Sequence, residues 1–202
     1  MTRSTKTLEA YHKLSSYYAT THANPLFVAM FKIFRQRIHG RRVIDLGCGT
    51  GRDAILFLQN GFDYLGIDVS SAMLREARKR VKGGNFRRMD LYHLNFPANS
   101  FDGFWASASL LHITQRRIRK VLRSIRQLLK PGGVGFISLK AKTTISEGVI
   151  HQDLCGGVDR FFAFYTKAEF GALLREAGYR ILETRSFHED ATKWRCFFVA
   201  RA

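Results

Sequence analysis

The sequence predicts an α/β protein built on a mostly parallel sheet. Short β-branched and aromatic runs alternate with helical patterns along most of the 202 residues, a glycine-rich turn follows the first such run, and the last two runs form a natural hairpin. Each crossover between parallel strands is right-handed and lays a helix on a sheet face, so helices are expected on both faces.

The elements follow in order. Residues 8–38 read as two helices, the second opened by Asn24 as a cap and Pro25 in the first turn. Residues 42–46 form a β-like run ending at glycines, then residues 53–60 form a helix stopped by Gly61. Residues 62–68 repeat the strand pattern, Ser70 or Ser71 caps a helix running to about 82, and residues 85–89 are a third strand. The second half continues with a strand at 101–107, a helix at 115–129 ended by Pro131-Gly132-Gly133, and a strand at 134–139. Residues 141–160, with few periodic apolar residues and the pair Gly156-Gly157, read as a long loop or insertion near the substrate site. A helix at 167–177, capped by Thr166 and stopped by Gly178, leads to strands at 179–186 and 193–201. The whole is expected to be one domain, with residues 1–40 as an N-terminal helical segment.

Composition narrows the class. Apolar residues make up 46%, which excludes wholesale disorder, and no run is long and apolar enough to cross a bilayer. The N-terminus lacks an apolar signal core, so a cytoplasmic location is expected. Cys48, Cys155 and Cys196 are odd in number and form no CxxC pair, so neither a disulfide framework nor a metal site is indicated. The 33 Lys and Arg against 16 Asp and Glu give a net charge of +17, a balance that suits polyanionic partners.

In an open parallel sheet the ligand sits beyond the carboxyl ends of the strands. The turn Asp45-Leu46-Gly47-Cys48-Gly49-Thr50-Gly51 lies there, and its glycines let backbone amides approach a ligand closely. A dinucleotide fingerprint needs a small residue three positions after Gly49, where this chain has Arg52. Asp45 repels a pyrophosphate and accepts from an ammonium. Asp68 ends the second strand, where a carboxylate can take both hydroxyls of a ribose. Met73 can contact a base, and Asp90-Leu91 can meet an adenine amine. Together these residues describe a nucleoside carrying an amino acid.

At these residues the chain resembles the class I S-adenosylmethionine-dependent methyltransferases. VIDLGCGTG is similar to the family's first motif, LGIDVSSAMLREARKR to its second, RRMDL to its third, FDGFWASASLLHI to the fourth-strand motif, and LLKPGGVGFIS to the helix, turn and fifth strand. The resemblance implies a Rossmann-like seven-stranded sheet of order 3-2-1-4-5-7-6 with strand 7 antiparallel, an N-terminal helical lid, and S-adenosylmethionine as cofactor. The cofactor contacts expected on this basis are Tyr18, Asp45, Gly47, Cys48, Gly49, Arg52, Asp68, Val69, Met73, Asp90, Leu91 and Ser107. A lid tyrosine among Tyr11, Tyr17 and Tyr18 can place its ring over the sulfonium.

On the acceptor side, His112 can accept a proton from a nucleophile or simply shape the pocket, and Arg160 and Tyr165 are expected to reach the substrate. The expected function is methyl transfer to a small metabolite. Two other readings stay open. The aromatic tail is similar to wobble-uridine tRNA methyltransferases, and two basic clusters, at 75–88 and on the helix at 115–130, suit an RNA partner. A catalytically idle Rossmann-like module could also bind RNA through them. Oligomeric state is not legible.

Overall fold

The computed structural model describes residues 3–22, 27–142, 144–189 and 192–202. The element order is α1 (Arg3–Thr21), α2 (Val28–Arg37), β1 (Arg42–Leu46), α3 (Ala54–Gln59), β2 (Asp63–Asp68), α4 (Ser71–Arg80), β3 (Asn85–Arg88), β4 (Phe101–Ala106), α5 (Gln115–Leu128), β5 (Leu129–Lys140), β6 (Glu147–Gln152), β7 (Val158–Ala163), α6 (Lys167–Glu176), β8 (Tyr179–Glu189) and β9 (Thr192–Arg201). A single 3-10 turn, Leu110–His112, separates β4 from α5. The cap assigned to Asn24 and Pro25 lies outside the described residues.

Seven strands form one sheet in the order β3-β2-β1-β4-β5-β9-β8. The first five are parallel, whereas β9 runs antiparallel between β5 and β8. This is the expected order with β8 and β9 as its strands 6 and 7, the numbering displaced by an inserted hairpin. Asp45 pairs with Gly66 near the ends of β1 and β2, and Asp68 closes β2, so both carboxylates reach the carboxyl edge of the sheet.

The core is aromatic. Trp105 on β4 stacks on Phe136 of β5 with ring centroids 3.9 Å apart, and Phe31, Phe34 and Phe57 meet Trp105 edge-on. These rings are fully or almost fully buried, each contributing about 1.5–3 kcal/mol of transfer free energy. They fasten α2 and α3 to the middle of the sheet and hold the carboxyl ends of β1 and β4 side by side.

Two expectations are corrected. Of the loop or insertion expected at residues 141–160, the structure has an inserted hairpin and not a loop: β6 and β7 pair in antiparallel register from Glu147↔Ala163 to Gln152↔Val158. The pair Gly156-Gly157, with Cys155 before it, turns this hairpin, all three residues having positive φ. The periodicity misled because β7 is buried almost continuously by packing under α1: Val158 joins Ala10 and Leu14, and the Phe161 amide donates to Thr7 Oγ1 at 2.8 Å. The second correction is β5, which begins at Leu129 and carries Pro131-Gly132-Gly133 inside a register shift against β4. Proline is tolerated there because the bulge removes the need for its amide.

Candidate functional site

A cavity of about 430 Å³ opens at the carboxyl edge of the sheet beneath α1. Its floor is the turn after β1. The amides of Gly47 and Cys48 both donate to the Ile67 carbonyl, which ties the turn to β2. Gly47 sits at φ +82°, and a Cβ there would lie 2.5 Å from Ser109 Cβ; Gly49 sits at φ +55° with nothing within 4 Å of an added Cβ. The first glycine is demanded by packing, the second leaves its backbone bare toward the cavity.

Asp68 is held in place by two amides, Gly49 N–H to Oδ2 at 3.0 Å and Ser70 N–H to Oδ1 at 2.8 Å. A carboxylate has about four acceptor positions, so one lone pair on each oxygen stays available to vicinal hydroxyls. Asp45 is 2% exposed and accepts from Tyr64 Oη at 2.6 Å. Burial, reinforced by Asp53, holds its carboxyl well above the usual range despite that hydrogen bond. Asp53 accepts from Trp105 Nε1 at 2.8 Å through Oδ2, while its buried Oδ1 has no hydrogen bond among the described residues and lies 3.7 Å from Arg52 Nε. Asp90 Oδ1 takes the Tyr92 amide at 2.9 Å, a local turn that fixes the carboxylate.

The other half of the cavity is built from α1, the 3-10 turn, β5 and β7. Tyr11 Oη lies 2.7 Å from His112 Nε2, and His112 Nδ1 lies 2.6 Å from the Phe161 carbonyl. A carbonyl only accepts, so Nδ1 carries the proton and Nε2 accepts from Tyr11. Burial pushes His112 down to about 3, with Arg160 adding to the effect, so the ring is neutral at physiological pH. Arg160 is 4% exposed and donates to Tyr18 Oη at 2.6 Å, Tyr11 Oη at 3.1 Å and Gln152 Oε1 at 2.7 Å. Lys140, at the end of β5, places Nζ 4.9 Å from the Phe162 ring centroid.

Each residue expected to contact a cofactor lines this one cavity, as do His112 and Arg160. Tyr165 does not. It is buried against Phe170 with ring centroids 5.1 Å apart, and burial pushes its phenol up, so it packs in the core outside this cavity. Cys48 contributes backbone, its thiol being buried and held well above the usual range. The lid tyrosines Tyr11 and Tyr18 set their rings over the Arg160 guanidinium, at 5.3 and 5.8 Å. Sequence reasoning missed Asp53, Lys140, Glu189 and Trp194, all in the cavity wall. Lys140 alone had a signal, its place at the carboxyl end of a parallel strand.

Residues 43–133 match the family model described as a methyltransferase domain. The chain carries a class I S-adenosylmethionine-dependent methyltransferase domain. Methyltransferase GfsG of Streptomyces halstedii is 29% identical over 164 residues, 75% of this chain and 57% of that protein. O-methyltransferase resE of Aspergillus sclerotiorum is 30% identical over 167 residues, covering 75% and 59%. The chain thus spans less than two thirds of these curated relatives' lengths. The structure of Burkholderia thailandensis 1,6-didemethyltoxoflavin-N1-methyltransferase, with bound 1,6-didemethyltoxoflavin and S-adenosylhomocysteine, shares the fold at a TM-score of 0.75 and 19% identity, covering 96% of this chain and 85% of that one.

The methyltransferase domain's own residues fit that cofactor. Asp45 and Asp53 form a buried pair of acids with a single cation among the described residues, Arg52, 3.7 Å from Asp53 Oδ1, which leaves the pair suited to a second one, and Asp68 keeps free lone pairs for a ribose. The basic clusters, by contrast, are partly engaged within the fold. Arg119 pairs with Glu176 at 2.9 Å, Lys130 with Asp102 at 2.6 Å, Arg126 donates to the Gly178 carbonyl, and Arg117 lies over the Tyr92 ring. Arg78, Arg80 and Arg88 likewise donate to the carbonyls of Phe86, Ala19 and Val69.

Proposed function

We propose that this chain moves a methyl group from S-adenosylmethionine to a nucleophile on a small molecule. The observation that carries the reading is one cavity with two chemically distinct halves: carboxylates and bare glycine backbone on the β1 and β2 side, and a neutral histidine, tyrosines and cations on the β5 and β7 side. When bound, the cofactor supplies an activated methyl on a sulfonium, a displacement that needs alignment more than acid–base help. Asp68 takes the ribose hydroxyls, Asp45 and Asp53 take the ammonium end, and Asp90 meets the base. The helix α1 covers the opening and excludes water. His112, neutral and fixed in one tautomer, positions Tyr11 and shapes the acceptor pocket. A low proton affinity makes it a weak general base, which favours an acceptor that needs little deprotonation.

A small acceptor is favoured by the size and roof of the cavity, and the named relatives include an O-methyltransferase. Calorimetry with S-adenosylhomocysteine tests the cofactor assignment, and no binding at millimolar ligand removes it. Transfer of a labelled methyl group into fractionated extract tests the acceptor: label is expected in the low-mass fraction, and label confined to tRNA overturns the small-molecule reading.

A further inference from the structure

Arg160 is a buried cation without an anion. It is 4% exposed, forms no ion pair among the described residues, and meets only neutral partners: the hydroxyls of Tyr11 and Tyr18, the Gln152 amide oxygen, and the faces of Tyr11, Tyr18 and Phe162. Its hydrogen bonds run from Nε and Nη1, so Nη2 keeps its donors, and the residue lines the cavity. Taking a charge out of water is costly unless a counter-charge accompanies it, so the site is left short of an anion.

A second cation shares the place. Lys140 Nζ and Arg160 Cζ lie 4.9 and 5.3 Å from the centroid of the Phe162 ring. Burial lowers the Lys140 ammonium below its usual range and Arg160 adds to this, whereas Glu189 opposes it. Glu189 is itself held by Trp194 Nε1 at 3.2 Å. Of the acids lining the cavity, Asp45, Asp53 and Asp68 come from the ends and turns of β1 and β2, Asp90 follows β3 and Glu189 ends β8, while the two cations come from β5 and β7. On the β1 and β2 side the acids Asp45, Asp53 and Asp68 outnumber Arg52, and on the β5 and β7 side Arg160 and Lys140 outnumber Glu189.

We infer that Arg160, assisted by Lys140, is the seat of a carboxylate on the methyl-accepting small molecule. With the Nε and Nη1 hydrogens taken by Gln152, Tyr11 and Tyr18, the guanidinium has only Nη2 left to donate, and a charge-assisted hydrogen bond from it to a carboxylate is stronger than one to a neutral hydroxyl or amide. The aromatic walls favour a carboxylate carried on a flat, apolar body. This rests on the reading of the cavity as a methyl-transfer site.

The test uses the full chain loaded with S-adenosylhomocysteine, with benzoate and its neutral isostere benzamide as probes, read by calorimetry and thermal shift. Benzoate is expected to bind at least about tenfold more tightly than benzamide. Arg160→Met should abolish that preference and Lys140→Met should reduce it, with S-adenosylhomocysteine affinity changed by less than about threefold in both. Arg160→Lys, which keeps the charge with fewer donors, should retain part of the preference and guards against a folding defect in the methionine variant. Equal binding of the two probes, no benzoate binding at millimolar concentration, or an intact preference in Arg160→Met overturns the inference. So does an Arg160→Met variant that loses S-adenosylhomocysteine as strongly as benzoate, since Arg160 would then serve the cofactor's own carboxylate. Failure of S-adenosylhomocysteine binding with the benzoate preference intact would instead sink the methyl-transfer reading alone.

Discussion

The hydroxyl of Tyr11 donates to His112 Nε2 across 2.7 Å, joining the N-terminal helix to the turn after β4. The same oxygen accepts from Arg160 Nη1 at 3.1 Å, so one hydroxyl ties three separate segments together. Tyr11→Phe keeps the ring over Arg160 and removes only the oxygen. Leaving His112 Nε2 without its donor should cost about 1–3 kcal/mol in urea unfolding. Limited proteolysis should cut α1 faster in the variant, and S-adenosylhomocysteine should slow that cutting. An unchanged unfolding midpoint would mean that water replaces the hydroxyl.

His112 also gives the fold a pH dependence. Its folded value, about 3, lies below the ordinary 6.5 because burial penalises the imidazolium. The neutral ring is therefore a source of stability that is complete above pH 6.5 and is lost as pH falls toward 3. Asp45 and Asp68, both raised, contribute in the opposite direction, so the difference between parent and His112→Gln isolates the histidine. Chemical denaturation at neutral pH and at pH about 5 should show the parent losing more stability than the variant. Equal losses would mean that His112 is solvated.

Asp45→Asn separates cofactor binding from folding. The asparagine oxygen can still accept from Tyr64 Oη, 2.6 Å from Asp45 Oδ2 in the parent. Removing a carboxyl whose ionisation burial opposes should leave the ligand-free protein at least as stable at neutral pH. Loss of a charge-assisted contact to an ammonium should weaken S-adenosylhomocysteine by roughly tenfold to a hundredfold. In the parent, affinity should fall as pH drops, because protonating Asp45 competes with the cation. Calorimetry across pH checks both; pH-independent affinity would remove Asp45 from the site.

The cofactor half was legible because its chemistry is local in sequence: a glycine turn and strand-end acids fall at fixed places once the strands are assigned. Asp53 escaped because its role depends on Trp105, fifty-two positions away, taking one of its oxygens. Tyr165 was misplaced for a related reason: Arg160 and Tyr165 share one aromatic run, and only the docking of β7 under α1 turns the first toward the cavity while Tyr165 packs on Phe170. In the hairpin, β7 was hidden by near-continuous burial, which erases the alternation that marks a strand, whereas β6 is only partly buried. The basic helix was legible as basic but not as paired, since Glu176 and Asp102 come from distant elements.

Gly47 and Gly49, two positions apart, should fail differently when changed to alanine. Both have positive φ, a backbone strain of about 1–2 kcal/mol for alanine. At Gly47 the new Cβ also lies 2.5 Å from Ser109 Cβ, an overlap that adds about 1–3 kcal/mol of overpacking and pushes the turn after β1 away from the one after β4. Gly47→Ala should therefore lower the melting temperature markedly, with or without ligand. At Gly49 nothing lies within 4 Å of the new Cβ, so the ligand-free protein should lose little beyond the strain. The methyl group instead occupies space against which the cofactor must lie, so S-adenosylhomocysteine should bind at least about tenfold more weakly and stabilise the variant less. Thermal melts of both variants with and without the ligand distinguish the two effects. Full ligand stabilisation of Gly49→Ala would show that the cofactor does not approach the turn at this backbone.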